Sequence, residues 1–162
     1  MKTIYLIRHA KAEEKTSAIK DFGRHLTTKG IRDAEKMGKR LVSMHIHPDK
    51  IISSSARRAI QTAKIISRNL KYANEIIVNE NIYHTSGAKI IAIIQKTEDE
   101  IQSLMLVGHN PSFNGMLHHL CETNIDNIPK AGIVGITLNV DKWSSISDGC
   151  GVILFFDSPK NK

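Results

Sequence analysis

The chemistry this sequence can offer concentrates in four side chains, Arg8, His9, Arg58 and His109, each just beyond a short apolar run. Arg8 and His9 follow Ile4-Tyr5-Leu6-Ile7. Ser54, Ser55 and Arg58 follow Lys50-Ile51-Ile52-Ser53, and Gly108, His109 and Asn110 follow Ser103-Leu104-Met105-Leu106-Val107. Runs of this length and composition read as buried strands. If the strands lie parallel, their ends share one edge of the sheet, where α/β proteins hold ligands. Two arginines and two histidines in one crevice repel one another unless an anion fills it. Guanidinium forks match phosphate oxygens, so a phosphoryl group is the natural occupant. One neutral imidazole could then attack phosphorus while the other stabilises the equatorial oxygens. Ser54 and Asn110 are the polar neighbours placed to bind the same group.

The elements that must position these residues alternate in type. Ala12 to His25 is charged and irregular and reads as a loop. Thr27 or Thr28 then caps a helix carrying Ala34, Met37, Gly38, Leu41 and Val42 at helical spacing, and His45-Ile46-His47-Pro48 ends it. A second helix is expected from about Arg57 to Leu70, a third strand over Glu75–Val78 and a loop over Asn79–Ser86. A third helix follows over Ala88–Gln95, and a fourth carries Phe113, Met116, Leu117, Leu120 and Cys121. Gly135–Val140 and Val152–Phe156 have no helix between them and should pair antiparallel. The pattern predicts an α/β three-layer sandwich, a mostly parallel central sheet with helices on both faces and an antiparallel C-terminal pair. No repeat or linker interrupts it, so residues 1–162 are expected to form one domain.

Composition narrows the partners. Of 162 residues, 41% are hydrophobic, an ordinary globular content. The net charge of +7 favours anionic partners. Aromatic residues make up only 5%, with no basic run interleaved with rings, which argues against nucleic acid. No stretch approaches membrane-spanning length, and Arg8-His9 breaks the N-terminal apolar run too early for a secretory signal. Cys121 and Cys150 show no paired spacing and are expected as reduced thiols, which together suggests a cytoplasmic protein.

Four segments resemble the histidine phosphatase superfamily. Arg8-His9-Ala10 is similar to its Arg-His-Gly signature, with Ala for Gly. Arg58-Ala59-Ile60-Gln61-Thr62 matches its Arg-Ala-x-Gln-Thr segment, with Ser54 where the family has Ser-Pro. Val107-Gly108-His109-Asn110-Pro111 matches the second-histidine motif. Arg24-His25-Leu26-Thr27-Thr28-Lys29-Gly30 resembles the Arg-Pro-Leu-Thr-x-x-Gly of the small SixA-type phosphohistidine phosphatases. The resemblance implies a phosphoglycerate-mutase-like fold and no metal or other cofactor. It also implies a covalent phosphohistidine intermediate on His9, in a phosphate pocket of Arg8, Arg58 and His109. Arg57 is a decoy by the same register, because the motif's arginine directly precedes the alanine.

Departures from the pattern matter. Ala10 raises the question of whether the chain must turn sharply there, and Gly23 and His25 replace residues common in relatives, which weakens a role for that loop. After Tyr83, where many relatives carry Glu, this chain has His84. The proton donor is therefore open among His84, Glu80, Glu13, Asp21 or none. His45 and His47 could bind metal but read as solvent-exposed, His118 and His119 point to different sides of their helix, and Cys121 reads as core. The expected function is a metal-independent phosphohistidine phosphatase acting on a phosphohistidine-containing protein. The alternatives are a phosphatase of small phosphorylated substrates on the same site, or a non-catalytic phosphate-binding module. The sequence leaves oligomeric state open.

Overall fold

The computed structural model describes residues 1–161 and is built on one six-stranded sheet in the order β3-β2-β4-β1-β5-β6. The strands are β1 (Lys2–Arg8), β2 (Lys50–Ser54), β3 (Ile77–Asn79), β4 (Ser103–Gly108), β5 (Ile133–Leu138) and β6 (Gly151–Asp157). The β1–β4, β2–β4 and β2–β3 pairs are parallel, whereas β5 runs antiparallel to both β1 and β6. Successive residues of a strand face opposite sides, and the core divides accordingly. Ile4, Leu6, Leu104, Leu106 and Ile136 pack on one side under α3 (Gly87–Ile94) and α4 (Ser112–Leu120). Ile7, Ile51, Met105, Val107 and Ile133 pack on the other under α1 (Thr28–Ser43) and α2 (Arg57–Asn69). This is the expected mostly parallel α/β sandwich with its antiparallel C-terminal pair.

Local chemistry sets the boundaries. Thr27 is the cap of α1, its hydroxyl accepting from the Gly30 N–H at 3.0 Å, and α1 buries Ala34, Met37, Gly38 and Leu41. His45 lies just past the helix end in the left-handed region at φ +57°, so it serves as a helix stop. Cys121 lies just beyond α4 in extended conformation, buried beneath the sheet, which moves it off the helix but leaves it in the core. Two strands are displaced from the sequence expectation. β3 begins at Ile77 rather than Glu75, and β5 begins at Ile133 because Arg8 N–H donates to the Gly132 carbonyl and starts the pairing early. The Ala12–His25 stretch is not featureless. Ala12 bridges Leu26, and Asp21–Gly23 forms one 3-10 turn. Among the described residues no helix is long and apolar enough to cross a membrane.

Candidate active site

The ends of β1, β2 and β4 meet as their parallel pairing requires, with Arg8 opposite Gly108 in the ladder and the His9 N–H donating to the Gly108 carbonyl. Beyond β1, the Ala10 N–H donates to Thr62 Oγ1 on α2 at 3.0 Å, and the Thr62 hydroxyl donates to the Arg58 carbonyl at 2.8 Å. Gln61 Oε1 accepts from the Leu26 N–H at 2.8 Å. The Gln-Thr pair of the second motif thus ties the segment after His9, and the loop before α1, to the start of α2. Ala10 is fully buried and its φ is negative, so no left-handed turn is demanded there and alanine fits.

His9 is 6% exposed and lies against Arg58 and His109. Its Nδ1 is 2.8 Å from its neighbour's carbonyl, Ala10 O, so that nitrogen carries the hydrogen. The lone pair is left on Nε2, 3.3 Å from Arg58 Nε. The His9 and His109 ring centroids are 5.1 Å apart. Burial, aided by the charges of His109, Arg58 and Arg8 and opposed by the Ala10 hydrogen bond, lowers the His9 pKa to about 3. His109 is lowered to about 4, by burial first and then by Arg58, with Asp21 opposing. Both imidazoles are therefore neutral at physiological pH. His109 Nε2 lies 2.7 Å from Ser54 Oγ, which already accepts from the Ala56 N–H. The serine can thus give its own hydrogen to His109 Nε2. With Nε2 as acceptor, His109 Nδ1 bears the ring's one hydrogen, and it is buried with no partner among the described residues.

A cavity of about 560 Å³ opens here, lined by Arg58, His109, Asn110, Asp21, Tyr83 and His84 together with Lys15, Thr85, Pro111 and Ser112. His9 and Ser54 stand behind it, in contact with Arg58 and His109. Arg8 does not line it. Consecutive residues at a strand end diverge, and the Arg8 guanidinium instead donates to the Ile128 carbonyl at 3.0 Å and lines a neighbouring groove. Arg57 lies apart, its guanidinium 2.6 Å from His25 Nε2 in another shallow cleft.

The loop before α1 contributes more than its sequence suggested. The Asp21 backbone carbonyl accepts from Arg58 Nη1 at 2.7 Å, and its carboxylate accepts from Arg58 Nη2 at 3.2 Å, from Arg24 at 3.0 Å and from the Tyr83 hydroxyl. Burial pushes this carboxyl up, but the bonds from Tyr83, Arg24 and Arg58 outweigh it and hold the group well below the usual carboxylate range. Phe22 stacks on Tyr83 with planes 2° apart. Among the proton-donor candidates, His84 lines the cavity, with Nε2 4.0 Å from Asp21 Oδ2. Glu80 is exposed on the turn before Tyr83, and Glu13 is engaged by the His25 N–H; neither lines the cavity. Sequence reasoning passed over Tyr83, Thr85 and Lys15 as site residues. Only the proximity of Tyr83 to the His84 position hinted at one of them. Among the described residues no group of three His, Cys, Asp or Glu side chains could hold a metal ion.

Comparison with known proteins is consistent with this geometry. The chain is 27% identical to the uncharacterized Mycobacterium tuberculosis protein Rv1276c, with 95% of this chain and all of that protein covered. A stretch of 87 residues is 38% identical to the mitochondrial serine/threonine-protein phosphatase Pgam5 of Drosophila ananassae, covering 54% of this chain but 29% of that protein. The crystal structure of SixA from Agrobacterium tumefaciens, provisionally assigned as a phosphohistidine phosphatase, superposes with a TM-score of 0.83 at 26% identity, over 98% of each chain. The model for the histidine phosphatase superfamily, branch 1, matches residues 4–84, half of the 162-residue chain, and the chain belongs to that superfamily.

Proposed function

We propose that the protein is a metal-independent phosphohistidine phosphatase that works through a phosphohistidine intermediate on His9. The observation that carries this reading is the state of His9: neutral, its Nδ1–H committed to Ala10 O, its Nε2 unprotonated and accepting only a long hydrogen bond, 3.3 Å, from Arg58 Nε, a donor that an incoming phosphoryl group would take over. Attack by Nε2 forms the new N–P bond as the bond from phosphorus to the substrate's imidazole nitrogen breaks. That imidazole leaves neutral, because it takes a proton before or as the bond breaks. Water then attacks the phosphoryl group on His9, releases inorganic phosphate and restores the neutral ring. In this reading Arg58, once the phosphoryl group displaces its bonds to Asp21 and His9, and His109 hold charge on the phosphoryl oxygens. The positive charge of Arg8 adds to the field from its place beside the cavity. The likeness to SixA supports the substrate class.

The set of possible acids favours this substrate over alkyl phosphates. A positioned general acid contributes on the order of 10² to 10⁴ in rate. Asp21 stays ionised, and Glu80 and Glu13 lie outside the cavity, so His84 is the one candidate left at the mouth. Phosphohistidine and aryl phosphates have leaving groups that need little help, whereas sugar phosphates and phosphoserine expel a strongly basic alkoxide. Turnover should be good for the first pair and poor for the second. The deciding experiment is trapping: acid-labile, base-stable label should appear on wild type and not on His9→Ala, which should also be inactive. An active His9→Ala would end the reading. Activity should persist in a strong chelator; loss that added metal restores would contradict the metal-independent part.

A further inference from the structure

A second cavity of about 310 Å³ adjoins the first, and its lining is strongly basic. Arg8, Lys11, Lys29, Lys130 and Lys160 line it, against a single carboxylate among the described residues, Asp33, which is tied to Lys29 at 2.8 Å. Among the described residues the remaining cations have no acidic partner there. Arg8 Nε is buried with no hydrogen-bond acceptor among the described residues. Lys130 is lowered by burial and then by the charges of Arg8, Lys11 and Arg24, a sign that like charges are crowded at this point. Such crowding costs stability unless an anion relieves it.

The groove and the catalytic cavity share a wall. The Ile128 carbonyl accepts from Arg8 Nη1, on the groove side, and from Asn110 Nδ2, on the cavity side, at 3.0 Å and 2.8 Å. Asn127 lines the groove and accepts from Asn110 through its Oδ1 at 2.9 Å. A ligand with its phosphoryl group in the cavity would therefore lay its neighbouring surface over the groove. Among the described residues no aromatic ring lines the groove, so bases have nothing to stack on. The cations facing solvent are lysines, point charges suited to scattered carboxylates rather than to a fixed phosphate fork.

We propose that this groove is a docking subsite for acidic side chains that flank the phosphorylated residue of a protein substrate. The proposal rests on the phosphatase reading for its biological use, but the binding itself does not. In the first arm of the test, a fluorescent polyglutamate peptide is titrated against wild type and against Lys11→Glu/Lys130→Glu at low salt. The double variant should bind roughly tenfold or more weakly, in line with reversed charges at a rim. Saturating inorganic phosphate should not displace the peptide from wild type. In the second arm, two phosphohistidine peptides are compared, one flanked by glutamates and one by glutamines. Wild type should show a lower KM for the acidic peptide at similar kcat, and the double variant should lose that preference while turning over p-nitrophenyl phosphate normally. Equal polyglutamate binding by wild type and variant would overturn the proposal. So would displacement by phosphate, or groove-dependent binding of tripolyphosphate or an oligonucleotide where polyglutamate fails. If neither peptide is hydrolysed but polyglutamate still binds through Lys11 and Lys130, the phosphatase reading fails and the groove stands. Hydrolysis of both peptides at equal KM sinks the groove alone.

Discussion

At the scale of single residues, Asp21 is the side chain whose role the geometry most changes. A carboxyl that accepts from Tyr83, Arg24 and Arg58 cannot hold a proton at neutral pH, so it is unsuited to protonating a leaving group. It instead occupies two donors of the Arg58 fork with its own oxygens, in the manner of the phosphate that the fork is proposed to bind. Removing its charge should make the fork easier to occupy. Asp21→Asn is expected to tighten inhibition by inorganic phosphate severalfold and to leave the alkaline limb of the pH–rate profile where it was. If that limb vanished, Asp21 would be the acid after all. His84→Ala is the companion measurement: a lowered aryl phosphate rate with a shifted alkaline limb would assign it the proton, and wild-type behaviour would make it a loop residue. Arg58→Ala should lower kcat by about a hundredfold or more, by analogy with the loss of one oxyanion donor. Arg57→Ala, whose guanidinium has His25 as its one hydrogen-bond partner among the described residues, should be nearly silent; the reverse result would shift the motif register by one residue.

At the scale of elements, the start of α1 and the end of β1 hold each other. The Lys11 carbonyl accepts from the Thr27 N–H at 2.9 Å, and Gly30, in the first turn of the helix, lies so close that an added Cβ would meet Lys11 O at 2.0 Å. That neighbour is backbone and cannot rotate away. Gly30→Ala should therefore cost about 3 kcal/mol, at the upper end of overpacking effects, because the clash also pushes on the segment behind His9. A lowered Tm with a proportionate loss of activity per folded molecule would fit; an unchanged Tm would mean that the helix start can shift freely. This junction also shows what the sequence could and could not disclose. The strand ends that carry Arg8, His9, Ser54 and His109 were legible, because short apolar runs have one simple reading and parallel pairing places their ends together. The loop from Ala12 to His25 was not, since its shape depends on non-local bonds such as Arg24 Nε to the Glu13 carbonyl and Arg58 to Asp21. No local propensity encodes those. The divergence of Arg8 from His9 was likewise hidden, although strand geometry explains it once Ile128 supplies the acceptor.

At the scale of the whole molecule, the site is an electrostatic liability placed at the edge of an apolar sandwich. The chain carries a net charge of +7, and the fold gathers Arg8, Arg24, Arg58 and two buried histidines around one sheet edge. It holds this arrangement by keeping both imidazoles neutral, which links folding to pH. His9 and His109 titrate near 6.5 when exposed in the unfolded chain but only at about 3 and about 4 in the folded protein. Between those limits the unfolded chain binds more protons than the folded one, so stability is full above about pH 6.5 and falls as the pH drops toward 4. Each histidine can contribute up to roughly 1.4 kcal/mol per pH unit across its window. Asp21 acts in the same direction only at lower pH, where the unfolded chain's carboxyl takes up a proton while the folded one stays ionised. Thermal melts of wild type should thus show Tm dropping between pH 6.5 and 4.5, a range in which Asp21 remains ionised. In a His9→Gln/His109→Gln variant the drop should be markedly shallower, even if its Tm at pH 7 is lower. An equally steep drop in that variant would move the linkage to other groups and remove the argument that burial keeps the proposed nucleophile neutral.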